Sequence, residues 1–247
     1  LLLVLLIGTG KHGRHWINLG VVYVQPAELL KLSLPMMVAW FLDRQSLPPR
    51  FHTVLVAALL IAVPTGLILL QPDFGTAMLV ATSGAFALYL AGLPWWWFGM
   101  AFGAVAAVAP VAWFWLLRPY QKDRILTFLN PESDPLGTGW NIIQSKIAIG
   151  AGGLTGKGWG QGSQSHLNYL PEHTTDFIFA VLSEEFGWIG VGTVLALYLF
   201  VIGRCLWIAS EARDGYSRLI AGALGLSFCV YVIVNGGMIS GLLPVVG

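Results

Sequence analysis

Residues 53–70, TVLVAALLIAVPTGLILL, form an apolar run without a single charged side chain. A bilayer core of about 30 Å is spanned by about 20 such residues in a helix. Comparable runs lie at 26–42, 74–92, 97–117, 188–208 and 217–236. Each run must be helical, because lipid offers backbone N–H and C=O groups no partners. The sequence therefore predicts an all-α fold, a polytopic transmembrane helical bundle.

Composition supports the same class. The chain has 247 residues, of which 56% are hydrophobic and 10% charged, and its mean hydropathy is +0.74. In soluble domains about one quarter of the residues are charged. The lower charged fraction of this chain excludes an ordinary water-soluble globule. The net charge of +1 gives nucleic acid nothing to bind. Cys205 and Cys229 both lie in apolar runs, which indicates neither a disulfide framework nor a metal cluster.

One transmembrane domain over residues 1–247 accounts for this pattern. Leu1 opens inside an apolar run with no initiator methionine, and the sequence ends at Gly247, the last residue of GLLPVVG, without a stop signal. We therefore expect a stretch of a longer protein, truncated at both ends.

Loop charge predicts the orientation. The loops around 43–52, 93–96 and 209–216 share one side and carry Arg44, Arg50 and Arg213. The positive-inside rule makes that side cytoplasmic and places residues 118–187 outside. Arg118 and Arg124 oppose this assignment, since they adjoin a helix end in the outer loop.

The outer loop, residues 118–187, concentrates polarity, with 12 of the 25 charged residues. A loop of this length in a compact bundle is usually functional. Its last part, TTDFIFAVLSEEFG, predicts a helix that is capped by Thr174 or Thr175 and ends at Gly187.

Asp176 lies in the first turn of that predicted helix. An acid there can simply complement the helix N-terminus, worth under about 1 kcal/mol. It can also act as a general base, because desolvation beside lipid raises the pKa of a carboxyl towards neutral pH. Glu172, Glu184 and Glu185 could share that role, although Glu184 and Glu185 are expected to form a solvated C-terminal edge.

Glu28 and Lys31 are three residues apart and share one face of a predicted helix. Ionisable groups in a membrane segment mark either a site or a buried pair. A structural ion pair between two helices and a role in substrate binding both remain open. Asp73, in QPDFGT, is expected to cap the helix that follows it.

Other motifs give no site. The stretch IGAGGLTGKGWGQG lacks the spacing of a phosphate-binding loop, since Ala151 and Gly158 occupy required positions. We expect a flexible, weakly basic segment whose amides and lysine could meet an anion. His12 and His15 have no nearby cysteine or carboxylate, so no metal ligands are predicted. These features suit an enzyme acting on an anionic lipid, or a transporter.

Four longer runs are more specific. GKHGRHWINLGVVYVQPAELLKL, QPDFGT, the stretch from NPESDP to SEEFG, and MISGLLPVVG resemble, in this order, the SEDS family of shape, elongation, division and sporulation proteins. GLLPVVG and IIQSKIAIGAGG are more similar to its elongation branch than to its division branch. The resemblance implies a fold of ten helices, of which this fragment holds about seven, with a large extracytoplasmic loop.

The resemblance also implies a function. The family polymerises lipid II into peptidoglycan glycan strands, on the outer face of the bacterial inner (cytoplasmic) membrane, for cell elongation and rod shape. Its catalytic aspartate, in TDFIFA, matches Asp176, and its membrane Glu/Lys pair matches Glu28 and Lys31. Arg14 matches an outer-loop arginine, although His15 intervenes before Trp16. The implied partners are lipid II, a class B penicillin-binding transpeptidase, other elongation-complex proteins and the lipid bilayer.

An inverting reaction with one aspartate is chemically sufficient if cations stabilise the departing diphosphate. The available cations are Lys146, Lys157, Arg14 and Arg118, and a divalent cation could assist. Two alternatives stay open at this point: a lipid II transporter or flippase, and a non-catalytic scaffold of the elongation complex.

Overall fold

The structure is a computed structural model. It describes residues 1–247 apart from 10–14, 19, 21, 72, 117–121, 123–125, 127–137, 164–176 and 244–247.

The described part of the chain is predominantly helical, and each of the six apolar runs coincides with a helix over most of its described length, so the predicted fold class is confirmed. The helices are α1 (Leu2–Ile7), α2 (Pro26–Asp43), α3 (Phe51–Leu69), α4 (Phe74–Leu90), α5 (Trp95–Val111), α6 (Thr138–Gly152), α7 (Ile178–Glu211) and α8 (Gly215–Ser240). A π-helical turn, Ala112–Leu116, continues α5.

Among the described residues, four helices are long and apolar enough to cross a membrane: Phe51–Leu69, Trp95–Trp115, Ile178–Glu211 and Gly215–Ser240. The helix Phe74–Leu90 is apolar but shorter. These helices make the chain a multi-pass membrane protein.

A short hairpin precedes α2. Strands β1 (Ile17–Asn18) and β2 (Tyr23–Val24) pair antiparallel, with Ile17 opposite Val24. Gly20 adopts a φ of 90° in the connection, and its N–H donates to Asn18 Oδ1. The sequence pattern did not predict this hairpin.

The chain divides into two compact units. Unit 1 comprises Leu1–Gly99 and Val201–Val230. In it α2, α3 and α4 pack against one another. Its core is a cluster of buried aliphatic side chains that includes Leu34, Val38, Leu42, Val80 and Leu219.

The start of α4 bears out the prediction for Asp73. Its Oδ1 accepts a hydrogen bond from the backbone N–H of Thr76, 2.9 Å away, as a helix N-cap does. Its Oδ2 accepts a second bond from Gln25 Nε2 at 3.2 Å. Since Gln25 is the residue before α2, the cap ties the starts of two helices together.

Unit 2 comprises Met100–Phe200 and Tyr231–Val245. Its core contains Ala148 of α6, Phe177 just before α7, Phe179 and Ala180 in the first turn of α7, and Ile239 of α8. The buried Ser145 Oγ lies 3.0 Å from the carbonyl oxygen of Ile239. The start of α7 is therefore packed with α6 and with the C-terminal end of α8.

Helix α7 contains a break at Gly187, whose φ of 63° and ψ of −163° are not helical. The predicted end of the outer-loop helix at this glycine is confirmed. The chain is helical again from Trp188, so α7 consists of a short segment, residues 178–186, and a long one that begins at 188.

Candidate active site

The structure describes four of the seven residues that the sequence singled out for a site: Glu28, Lys31, Lys146 and Lys157. Asp176, Arg14 and Arg118 lie outside the described residues, as do Glu172, Thr174 and Thr175. Glu28 and Lys31 belong to unit 1, whereas Lys146 and Lys157 belong to unit 2.

The residue that follows Asp176 is held firmly. Phe177 is only 1% exposed and lies in the core cluster of unit 2 together with Ala148, Ala180 and Ile239. A buried phenylalanine fixes its own backbone, because protein interiors are close-packed. The described chain therefore begins α7 from an anchored position directly after the candidate base.

The glycine-rich stretch packs against the break in α7. The N–H groups of Lys157 and Gly158 donate to the carbonyl oxygens of Glu184 and Glu185, at 3.0 and 2.9 Å. A helix end leaves such carbonyls without intrahelical partners. The stretch thus satisfies the last turn of the 178–186 segment.

The same stretch satisfies the start of the second segment of α7. The N–H groups of Trp188 and Ile189 donate to the carbonyl oxygens of Gly153 and Leu154, at 3.0 and 3.1 Å. Together, residues 152–158 and 183–189 form a unit that we call the glycine clasp. We expected the amides of this stretch to be open to an anion. That expectation is wrong for Lys157 and Gly158, because both of their N–H groups donate to carbonyl oxygens.

The clasp requires glycine, which has no side chain, at three positions. A Cβ at Gly152 would collide with the carbonyl oxygen of Ser183, and one at Gly156 with that of Glu185. A Cβ at Gly187 would meet the backbone nitrogen of Gly156. Gly156 and Gly187 also have φ values of 78° and 63°, which L-residues with side chains rarely adopt.

Glu184 is not part of a solvated edge, as the sequence led us to expect; its side chain is completely buried, at 0% exposure. Its Oε1 accepts hydrogen bonds from Lys157 Nζ at 2.6 Å and from the backbone N–H and Oγ of Ser163, both at 2.9 Å. A buried carboxylate needs such partners, because desolvating an unpaired charge is costly.

A signal for this burial was present in the sequence. Glu184 follows Phe177 by seven residues and Ala180 by four, a spacing that places all three on one helix face. Phe177 and Ala180 are 1% and 0% exposed. Glu184 therefore lies on the buried face, and only its charge suggested otherwise.

Glu28 and Lys31 share a face of α2, as predicted. Lys31 Nζ lies 2.6 Å from Glu28 Oε1, and the side chains are 18% and 51% exposed, respectively. The contact is made within one helix rather than between two. Glu28 stands in the first turn of α2, where a negative charge complements the helix dipole.

Lys146 is an exposed residue of α6 whose side chain lies beside Gly241, just after α8. A Cβ at Gly241 would come within 2.8 Å of Lys146 Nζ. Among the described residues, the ion pairs within 4.0 Å are Lys31–Glu28 and Lys157–Glu184, so Lys146 pairs with no described carboxylate.

Comparison with known proteins gives a consistent result. The profile of the FtsW/RodA/SpoVE family, described as cell cycle proteins, matches residues 1–247. The chain is 53% identical over 237 residues to peptidoglycan glycosyltransferase MrdB of Escherichia coli K12, covering 96% of this chain and 64% of that protein. It is 41% identical to the probable peptidoglycan glycosyltransferase FtsW of Halorhodospira halophila, covering 100% of this chain and 64% of that protein. The chain thus spans less than two thirds of the length of these relatives.

Solved structures show the same likeness. A chain of a peptidoglycan synthase complex, studied for its coordination of polymerization and crosslinking, is 31% identical with a TM-score of 0.80, covering 100% of this chain and 68% of that one. A variant of rod shape-determining protein RodA of Thermus thermophilus is 27% identical with a TM-score of 0.67, covering 100% and 64%.

Proposed function

The chain belongs to the FtsW/RodA/SpoVE family of cell cycle proteins, and on that premise we propose that the protein is a peptidoglycan glycosyltransferase. It polymerises lipid II into glycan strands for cell elongation and rod shape. The observation that carries this proposal is the 53% identity over 237 residues to a peptidoglycan glycosyltransferase. The motif resemblance to the SEDS family supports the same assignment.

In the proposed mechanism Asp176 is the general base. The 4-hydroxyl of a glucosamine on one lipid II is a weak nucleophile at neutral pH, and Asp176 accepts its proton as the oxygen attacks. The new bond joins that oxygen to the anomeric carbon of a second lipid II, while the bond from this carbon to the lipid diphosphate breaks. Attack from the face opposite the diphosphate inverts the configuration.

The leaving group explains why one aspartate suffices. An inverting glycosidase needs a second carboxylic acid to protonate the departing oxygen. A diphosphate leaves as a stable anion, so cations that stabilise its developing charge can replace that acid. Lys146, Lys157, Arg14 and Arg118 are the candidates. Lys146 is the first to test, because no described carboxylate neutralises it, whereas Lys157 is bound to Glu184.

We also propose that a divalent cation can assist by stabilising the charge of the departing diphosphate. The part of the chain that the structure describes holds no group of three or more His, Cys, Asp or Glu side chains positioned for a metal ion, so no ligands are assigned to it.

Glu28 and Lys31 are proposed to contact the substrate as a polar pair at the start of α2. Glu28 is half exposed, which leaves its carboxylate accessible to a ligand. Opposite charges 2.6 Å apart offer both a donor and an acceptor at one point.

We propose a location in the bacterial inner membrane with the active site on the outer face, where lipid II is polymerised. A class B penicillin-binding transpeptidase is the proposed partner, together with other elongation-complex proteins. The similarity to a chain of a synthase complex that coordinates polymerization with crosslinking supports a transpeptidase partner.

The test is glycan synthesis from lipid II by the purified full-length protein in detergent micelles. Micelles have no second leaflet, so a flippase gives no product there, whereas a polymerase does. The Asp176→Asn variant keeps the size of the side chain but cannot accept the proton. We expect product from the wild type and loss of product from the variant at an unchanged melting temperature. Equal product from both would reject Asp176 as the base, and no product from the wild type would reject the polymerase.

A further inference from the structure

The completely buried carboxylate of Glu184 has no part in the reaction proposed above. Resting on that proposed function, we propose that Glu184 is a positioning residue. Held by Lys157 and Ser163, it fixes the rotation of the 178–186 segment of α7 about its axis and its position along that axis. It thereby fixes Phe177, the described residue that directly follows the proposed base in the sequence.

The first argument is the set of bonds at one oxygen. Glu184 Oε1 accepts from Lys157 Nζ, from Ser163 N–H and from Ser163 Oγ, at 2.6, 2.9 and 2.9 Å. Charge-assisted hydrogen bonds are the stronger kind and have narrow geometry. Three donors that converge on one atom leave the side chain a single arrangement.

The second argument is the place of Glu184 on the helix. It lies two turns after Phe177, about 10 Å along the axis at 1.5 Å per residue. Phe177 and Glu184 are both on the buried face. A helix fixed on one face at both ends of this stretch can neither roll nor slide, so the 178–186 segment keeps one position behind Phe177.

The third argument is the glycine clasp beyond Glu184. A helix interrupted by a glycine at φ 63° would bend freely at that point if its terminal groups were unbound. The clasp supplies four backbone hydrogen bonds, two to each side of Gly187. The 178–186 segment is therefore locked at its C-terminal end as well as at Phe177.

A positioning role predicts a specific kinetic defect. A reacting group misplaced by about 1 Å can cost about a hundredfold in rate. Glu184 is completely buried and takes no part in the proposed reaction, so its loss should lower kcat and leave KM for lipid II unchanged.

The test compares two carboxylates that are adjacent in sequence. Glu184→Gln removes the charge that holds Lys157, whereas Glu185→Gln removes the same charge from a partly exposed neighbour. We expect kcat for lipid II polymerisation to fall ten- to a hundredfold in full-length Glu184→Gln, with KM unchanged. The Glu185→Gln control should keep both constants.

Hydrogen exchange gives a second readout that does not depend on activity. Backbone amides of residues 177–181 should exchange at least tenfold faster in Glu184→Gln than in the wild type, and at the wild-type rate in Glu185→Gln. If Glu184→Gln does not fold, Ser163→Ala removes one of the three donors and should give a smaller change in the same direction.

The outcomes separate this proposal from the proposed function. Unchanged exchange at 177–181 in folded Glu184→Gln overturns the positioning role whatever the protein catalyses. Faster exchange with an unchanged kcat also overturns it. An inactive wild type with faster exchange in the variant overturns the polymerase assignment, and the role of Glu184 in fixing this segment stands.

Discussion

The two Glu–Lys pairs of the described structure have the same contact distance but different surroundings. In both, Nζ lies 2.6 Å from Oε1. Glu28 and Lys31 are three residues apart on one helix, and Glu28 is half exposed. Lys157 and Glu184 are 27 residues apart, and Glu184 is completely buried. The Nζ–Oε1 distance therefore does not distinguish the two pairs. Burial and sequence separation do: one pair lies on the surface of a single helix, and the other joins two segments.

The strongest test of this comparison acts on the backbone around the non-local pair. Gly156→Ala places a Cβ against the backbone of Glu185 and Phe186, which cannot move aside without opening the clasp. Its φ of 78° adds strain. We expect a loss of more than about 4 kcal/mol, which is a large part of the about 5–15 kcal/mol by which domains are typically stable. Thermal melting of purified protein in detergent measures it.

Gly150→Ala is the matched control for that variant. Gly150 lies within α6, and a Cβ there meets nothing within 4 Å. Alanine in a helix is favoured over glycine by about 1 kcal/mol, so this variant should be neutral or more stable. Equal melting temperatures for the two variants would show that the clasp contributes nothing.

The next largest effect concerns the buried pair itself. Lys157→Met removes the cation that pairs with Glu184, and breaking a buried ion pair costs about 3–5 kcal/mol. Lys157 is 33% exposed, so we expect a loss near the lower end, about 3 kcal/mol. Chemical denaturation followed by tryptophan fluorescence measures the loss. A loss below about 1 kcal/mol would show that this pair stabilises the fold no more than a surface ion pair does.

The exposed pair should give a smaller effect. Glu28→Gln keeps the shape of the side chain and removes a charge that is half exposed and lies in the first turn of α2. Such local pairs contribute about 0.3–0.5 kcal/mol. We therefore expect a melting temperature within about 2 °C of the wild type. A loss as large as that of Lys157→Met would refute the distinction between the two pairs.

Asp214 extends the comparison of carboxylates to one that is exposed to solvent. It precedes α8, and its Oδ2 accepts from the backbone N–H of Ser217 at 2.8 Å. That hydrogen bond lowers the pKa of the Asp214 carboxyl below its ordinary value. A lowered pKa in the folded state contributes stability above the ordinary pKa, and this is lost as pH falls through the lowered value. Asp214→Ala should therefore melt slightly below the wild type at pH 7 and equally with it in acid. A difference that persists in acid would reject this origin.

Sequence reasoning succeeded where local physics decides the structure. The six apolar runs predicted helices because lipid leaves the backbone no alternative. Asp73 as a cap and Gly187 as a helix end were also predicted, since each depends on neighbours a few residues away. The shared face of Glu28 and Lys31 follows from helical spacing in the same way.

It failed where distant segments meet. The sequence predicts an open, basic segment at the glycine-rich stretch, because nothing local reveals that its amides donate to the carbonyl oxygens of Glu184 and Glu185. Glu184 read as solvated because its charge was weighed above its spacing from Phe177. The hairpin of Ile17–Asn18 and Tyr23–Val24 was missed because two-residue strands carry no periodic signal.

The acid limb of the pH–rate profile for lipid II polymerisation tests the central claim most directly. If Asp176 is the general base, the rate of the full-length wild type rises with pH as one group loses its proton. Asp176→Glu should keep that limb at a reduced rate, and any residual activity of Asp176→Asn should lack it. An Asp176→Asn variant that retains the wild-type rate and the same limb would contradict the account.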